Sequence, residues 1–221
     1  MKKLLLILLC FPILYSCNRT NSNKNNGEFN KSYKKQIIDG EVNKDKVEYL
    51  DEKTKLYSNF KYAIAYKETK NWTIDYGSSE YTIFRAYEVD SGFTFSINVI
   101  ELGGVSAKSS SNIHTLIDTE EKLIAMRSKN VSELNKLANI NPIDYNFERS
   151  YIKNFPAIKS TYKYIERQTD FEYEVYVISY QVERIGNMYT FTLVCPYMFY
   201  EINPQYYEDV FWYINFLNSD Y

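Results

Sequence analysis

Phe93-Thr94-Phe95-Ser96-Ile97-Asn98-Val99 decides the fold, together with the run before it, Tyr81-Thr82-Ile83-Phe84-Arg85-Ala86-Tyr87-Glu88-Val89. In the first of these, Phe93, Phe95, Ile97 and Val99 alternate with Thr94, Ser96 and Asn98. Period-two alternation marks a strand with one buried face. Tyr81, Ile83, Tyr87 and Val89 fall on one side of the preceding run, which also reads as a strand. Between the two, Asp90-Ser91-Gly92 supplies turn chemistry, because Gly92 is free to take positive φ. The pair therefore reads as an antiparallel hairpin.

Upstream, Phe60, Tyr62, Ile64 and Tyr66 alternate and predict a strand, and Trp72, Ile74 and Tyr76 continue after a polar turn. Val47, Leu50 and Leu56 have a loose helical spacing and suggest a short lead-in helix over 44–57. Downstream, residues 103–112 form a small-residue loop. Leu116, Ile117, Leu123, Ile124, Val131, Leu134 and Leu137 then fall at helical spacing, predicting a helical region over about 113–139, broken near Lys129-Asn130. Asp118 with Glu121, and Asn130 with Glu133, have the spacing of capping boxes. Four strands follow, over 144–153, 157–167, 171–184 and 188–197. Asn203-Pro204 opens a last helix, with Asn as cap and Pro at the first position. Its stripe is Tyr207, Val210, Phe211, Ile214 and Leu217. Long strands joined by tight turns must pair antiparallel. The expected fold is α+β, an antiparallel sheet of about six to seven strands covered by helices in an α/β/α sandwich.

Composition limits function. Of 221 residues, 45% are apolar and 24% charged, ordinary values that rule out disorder of the whole chain. A net charge of −2 excludes a strongly basic nucleic-acid binder. The single histidine, His114, excludes a multi-His metal site and argues against a His-based triad. No cofactor is expected. With 23 tyrosines and only 7 glycines and 5 prolines, the chain suits packed β-structure.

The N-terminus gives the address. Met1-Lys2-Lys3 is basic, and residues 4–15 are apolar apart from Pro12. Twelve helical residues extend ~18 Å, too short for a ~30 Å bilayer core, so the run reads as an export signal over 1–16. Leu14-Tyr15-Ser16-Cys17 is similar to a bacterial lipobox, in which the Cys17 thiol takes a diacylglyceryl group and Ser16 fits the peptidase pocket. Tyr15 is bulkier than the small residue usual there. Two or more acyl chains would anchor the protein stably to a membrane. Residues 17–48 are polar and rich in asparagine, and read as a disordered tether spanning ~30 Å. The globular domain is expected over 49–221. Its 17 basic and 23 acidic side chains leave it near −6, against nucleic-acid and anionic-lipid contacts.

Several segments together carry a family resemblance. They are residues 57–66 (Tyr-Ser-Asn-Phe-Lys-Tyr-Ala-Ile-Ala-Tyr) with Asn71-Trp72, Phe155-Pro156-Ala157 leading into Tyr162, Tyr189-Thr190-Phe191-Thr192-Leu193, and the closing aromatic helix. The body resembles the PsbP-like fold of photosystem extrinsic proteins, a Ran-binding import factor and small bacterial lipoproteins. Lys67 and Phe155 stand near places where that family has Pro before its Trp and Gly before Pro-Ala. The resemblance implies an α/β/α sandwich and no shared active site.

Candidate chemistry is sparse. Gly103 to Ser109 lacks the glycine spacing of a phosphate loop, with Leu102 and Ala107 where glycines are needed, and reads as a surface loop. Glu120 and Glu121 favour a helix start. Glu172 and Glu174 share a strand face, a spacing open to a hydrolase but ordinary for solvent-facing acids. His114 reads as a capping or surface residue. Cys195 lies in an apolar strand and reads as a small buried hydrophobe. The aromatic group Tyr197, Phe199, Tyr200, Tyr206 and Tyr207 is the candidate binding patch. The expected role is a lipid-anchored, non-catalytic binding or assembly module of the cell envelope, on a periplasmic face or outer-membrane surface, with an envelope protein as partner. The alternatives are a carrier of a small apolar or aromatic ligand and, third, a periplasmic hydrolase.

Overall fold

The structure, a computed structural model, describes residues 48–75, 79–102, 112–167 and 171–217. The export signal, Cys17, the tether up to residue 47, the loop 103–111 and the turn 168–170 lie outside the described residues.

Two antiparallel sheets form the body. The larger has seven strands: β4 (Thr73–Asp75), β5 (Thr82–Tyr87), β6 (Thr94–Glu101), β7 (Ile143–Ile152), β8 (Phe155–Arg167), β9 (Glu172–Arg184) and β10 (Asn187–Pro196), in the order β4-β5-β6-β10-β9-β8-β7. The smaller has four: β1 (Glu48–Asp51), β2 (Leu56–Asn59), β3 (Ile64–Lys67) and β11 (Ile214–Phe216), in the order β1-β2-β3-β11. The helices are α1 (Ile113–Leu116), α2 (Glu120–Ala138), α3 (Tyr197–Ile202) and α4 (Pro204–Glu208), followed by a 3₁₀ segment, Asp209–Tyr213.

The faces of the large sheet follow from side-chain alternation. On β10, Tyr189, Phe191, Leu193 and Cys195 enter the main core with Tyr57, Ile64 and Tyr66 of the small sheet and Val210 and Phe211 of the 3₁₀ segment. Met188, on the opposite face, packs with Ile113, Leu123 and Met126 of the helical layer. Leu134 of α2 meets Tyr162, Tyr164 and Val177 further along. The architecture is α+β with mostly antiparallel sheet, as expected. The second covering layer differs from the expected helices: it is the four-stranded sheet joined to the short C-terminal segments.

The opening hairpin forms as expected, with β5 and β6 paired and Gly92 at φ 75° in the turn. The facing on β5 differs. A bulge between Thr82 and Phe84 shifts the phase, so Ile83, Phe84 and Ala86 are buried while Val89 is exposed. The four strands after the helical region fall within a few residues of their expected bounds.

Four expectations are corrected. Residues 44–57 contain no helix in their described part; the Asp51 side chain accepts from the amides of Lys53 (2.9 Å) and Thr54 (3.1 Å), closing the turn of a β1–β2 hairpin. The run from Phe60 is not one strand. Asn59 Oδ1 accepts from the Tyr62 amide, Ala63 takes φ 47°, and pairing resumes only at Ile64. The helical region breaks at Ile117–Thr119, not at Lys129-Asn130. Asn112 and Thr119 are the two caps, Asp118 pairs with Lys122 at 2.6 Å, and Asn130 is buried inside the continuous α2. The last helix ends at Glu208, because Ile214 to Phe216 pair with β3 in the register Ile214↔Tyr66. Sheet hydrogen bonds and burial of Ile214 outweigh the helical spacing there.

Candidate functional site

The five predicted aromatic side chains come together at one end of the main core. The Pro196 ring, with no amide hydrogen, ends β10, and α3 follows. Asn203 then accepts from the Tyr206 amide (3.3 Å) and Pro204 takes the first position of α4. This local chemistry folds α4 back beside α3. Tyr200 lies 4.3 Å, centroid to centroid, from Tyr176, and Tyr197 meets Tyr176 edge-on at 5.9 Å. Tyr207 stacks on Phe93 at 4.2 Å, Phe199 reaches Phe93 at 6.0 Å, and Tyr206 stands edge-on to Tyr207 at 4.9 Å. Phe93 stacks in turn on Trp72 at 6.2 Å. Each such pair adds about 0.5–1.5 kcal/mol beyond area burial.

Polar groups frame these rings. The Tyr200 hydroxyl donates to Glu208 at 2.5 Å. Burial, reinforced by Glu208, holds its phenol far above the ordinary tyrosine value. Lys159 approaches the other Glu208 oxygen at 3.8 Å. Lys163 and Lys70 place ammonium groups over the Tyr197 and Tyr206 rings, at 4.5 and 3.7 Å. Large apolar side chains are exposed along this segment (Met198, Phe199, Ile202, Tyr206, Trp212 and Tyr213, Ile202 by 80%), interleaved with exposed Glu201, Asn203 and Gln205.

Behind the exposed rings lies a feature absent from the sequence reading. Glu68, one residue past β3, is 3% exposed. One of its oxygens accepts from the Lys70 amide at 2.5 Å, and Oε2 has no protein hydrogen bond. The buried Tyr66 hydroxyl and Trp72 Nε1 likewise have none. The sequence signal was the alternation Ile64, Tyr66, Glu68, which continues the inward face one step further.

The remaining candidates resolve individually. Cys195 is fully buried, and burial pushes its thiol up to about 12, the behaviour of an inert apolar side chain. His114 is not a cap: Asn112 caps α1, while His114 Nε2 meets the Ala157 carbonyl at 2.9 Å and its ring stands edge-on to Tyr151. Glu120 and Glu121 occupy the first turn of α2. Glu172 pairs with Arg167 at 2.9 Å, opposite it across the β8–β9 ladder, and Glu174 lies opposite Ile165. Among the described residues no three or more His, Cys, Asp or Glu side chains gather as a metal site. No described helix is long and apolar enough to cross a membrane.

No protein-family model and no curated protein matches the sequence. Among solved structures, the chain is similar to the solution structure of cyanobacterial PsbP (CyanoP) from Synechocystis sp. PCC 6803. The two are 11% identical over 76% of this chain and 91% of that one, with a TM-score of 0.45.

Proposed function

We propose that this chain is a lipid-anchored, non-catalytic binding or assembly module of the bacterial cell envelope. The anchor is Cys17, and the docking surface is the aromatic end of the domain. One observation carries the docking surface: Met198, Phe199, Ile202 and Tyr206 are exposed on the adjoining short helices α3 and α4, with Phe199 set against the buried Phe93 ring. Exposed apolar groups gathered in one patch mark interaction surfaces. Aromatic anchors such as Trp and Tyr dominate binding energy at such surfaces. Residues 197–213 contain Glu201, Glu208 and Asp209 and no Lys or Arg. Lys70, Lys159 and Lys163 border the same rings, so the rim carries both signs, and the partner is an envelope protein with an apolar centre.

The test is crosslinking of the full-length protein in intact cells, followed by mass spectrometry. Tyr206→Ala with Ile202→Asp should abolish the main adduct while the protein stays folded; an unchanged adduct overturns the docking surface. Intact-mass analysis reads the anchor separately. An unmodified precursor, or a cleaved product without acyl chains, overturns lipidation at Cys17.

A second reading, carriage of a small aromatic ligand, is favoured by the Trp72–Phe93–Tyr207 stack. A ligand inserting there would quench Trp72 fluorescence in a Trp212→Phe background.

A further inference from the structure

The seven-stranded sheet has one long open edge. Its order ends at β4 on one side and at β7 on the other, and these strands have three and ten residues. The outer strands of the small sheet, β1 and β11, have four and three. A long edge is a template for a further strand, and proteins blunt it with proline, lysine, a bulge or a covering segment. β7 is blunted only at its start. There the register with β8 shifts between Ile143 and Asn146, Asp144 takes φ 53°, and Arg127 of α2 donates to the Tyr145 carbonyl at 2.8 Å. From Asn146 to Ile152 the pairing is regular, with no proline, lysine or bulge.

The β7–β8 turn fixes which backbone groups face outward. Ile152 pairs with Phe155 across the two residues Lys153 and Asn154. In a two-residue hairpin the flanking pair exchanges hydrogen bonds, and the pattern alternates from there. Ile152, Ser150 and Glu148 therefore bond to β8, while Tyr151, Arg149 and Phe147 turn their amides and carbonyls away from it. Among the described residues nothing hydrogen-bonds the outward backbone groups of Arg149 and Tyr151. The Tyr151 side chain is 61% exposed. Arg149 is held in place by the carbonyls of Ile117 (2.9 Å) and Thr119 (2.7 Å).

The side chains select what fits this edge. A second β7 related by a two-fold axis must set odd positions opposite odd ones, which leaves few registers. With the axis at Phe147, the pairing runs into the bulge and the Arg127 contact. With it at Glu148 or Arg149, like charges stand directly opposite, a destabilising arrangement. With it at Tyr151, Arg149 faces Lys153 of the second copy. With it at Ser150, no like charges meet: Arg149 faces Tyr151 of the second copy, Glu148 faces Ile152, and two serines meet at the axis. We propose that β7 pairs with β7 of a second copy of this chain about an axis through Ser150, joining two seven-stranded sheets into one. Arg149 and Tyr151 exchange their free amide–carbonyl bonds across the axis, and each Tyr151 ring lies beside an Arg149 guanidinium. The pairing is independent of the aromatic docking patch, which begins where β10 ends.

Disulfide trapping reads the register. In this alignment the two copies of residue 150 form a non-hydrogen-bonded pair with Cα atoms ~4.5 Å apart, within disulfide reach. The two copies of residue 148 stand ~13 Å apart, beyond it. Under mild oxidation, full-length protein with Ser150→Cys should form a crosslinked dimer at least ~10-fold faster than protein with Glu148→Cys. The parent protein, whose Cys195 is buried, sets the background. Sedimentation velocity of the full-length protein in detergent, over a concentration series, should show a monomer–dimer equilibrium. Tyr151→Pro removes only an outward amide, which an edge strand tolerates, and should weaken the dimer at least ~10-fold. Ser150→Arg sets two cations face to face at the axis, and keeps the test open if the proline variant fails to fold. Faster trapping at residue 150, with a dimer weakened by either substitution, supports the pairing. Monomer at every concentration, equal trapping at residues 148 and 150, or a dimer unmoved by both substitutions overturns it.

Discussion

The two faces of the seven-stranded sheet are built from opposite chemistry. Toward the small sheet, Phe84, Phe93, Phe95, Ile97, Phe191, Leu193 and Val182 make a continuous aromatic and aliphatic core. Toward the helices, the middle of the same sheet is polar. One row crosses β6, β10, β9 and β8 as Ser96, Thr192, Ser179 and Ser160, and the next crosses β5, β6, β10 and β9 as Thr82, Asn98, Thr190 and Gln181. Most of these side chains are buried. They satisfy one another in part: Thr82 Oγ1 donates to Asn98 Oδ1 at 2.6 Å, Asn98 Nδ2 donates to Ser96 Oγ at 3.3 Å, and Ser179 meets Thr192 at 3.2 Å. Apolar clusters flank the rows, with Leu123 and Met126 in one and Leu134 in the other, and Asn130 lies between them on the inward face of α2. The aromatic face therefore supplies most of the cohesion, and the polar face fixes register, since hydrogen-bonded side chains match only one alignment.

That contrast is open to breaking. Phe95→Ala removes a fully buried ring that touches Tyr66, Phe84 and Phe211. It should cost about 3–5 kcal/mol in urea unfolding. Alkaline pH should act next, and through the same face. Burial raises the phenols of Tyr66, Tyr180, Tyr189 and Tyr200 above the ordinary 10.0. Their folded values exceed the unfolded ones, so their contribution is complete below pH 10 and is lost as pH rises beyond it. A denaturation midpoint measured from pH 8 to 12 should fall steeply, and less steeply in Tyr66→Phe, whose hydroxyl has no protein hydrogen bond to lose. Tyr189→Phe removes the donor to the Tyr62 carbonyl (2.6 Å) and should cost about 1 kcal/mol at pH 7. The smallest effect belongs to the polar face. Thr192→Val with Ser179→Ala deletes both partners of one bond, and thermal unfolding should move little, because matched removal leaves no orphan. If the double variant proved as costly as Phe95→Ala, the division of labour between the faces would fail.

Much of this was legible along the chain. The alternation at Phe93 to Val99 and the four long strands after α2 were read with nearly correct bounds, because a half-buried strand repeats every second residue. The aromatic group from Tyr197 to Tyr207 was also visible, since its members are neighbours in sequence. What failed was local chemistry whose outcome depends on a distant partner. The spacing around Val47 to Leu56 suited a helix, yet Asp51 closed a turn and β1 paired with β2. Ile214 and Leu217 continued a helical stripe, yet β3 offered a ladder. The β5 phase was lost to a single bulge.

By itself, the sequence determined an α+β body with antiparallel strands, a patch of aromatic side chains near its end, and the absence of any multi-histidine site. Periodicity, turn residues and composition are properties of neighbours, and they survive without knowledge of the fold. Only the tertiary structure decided that the strands divide into two sheets and that one face is greasy while the other is hydroxyl-lined. It alone brought Lys70 against Tyr206 and Phe93 against Tyr207, well over a hundred positions away in the chain. Such contacts arise from burial and pairing between segments, and no local pattern encodes which distant segment will supply them.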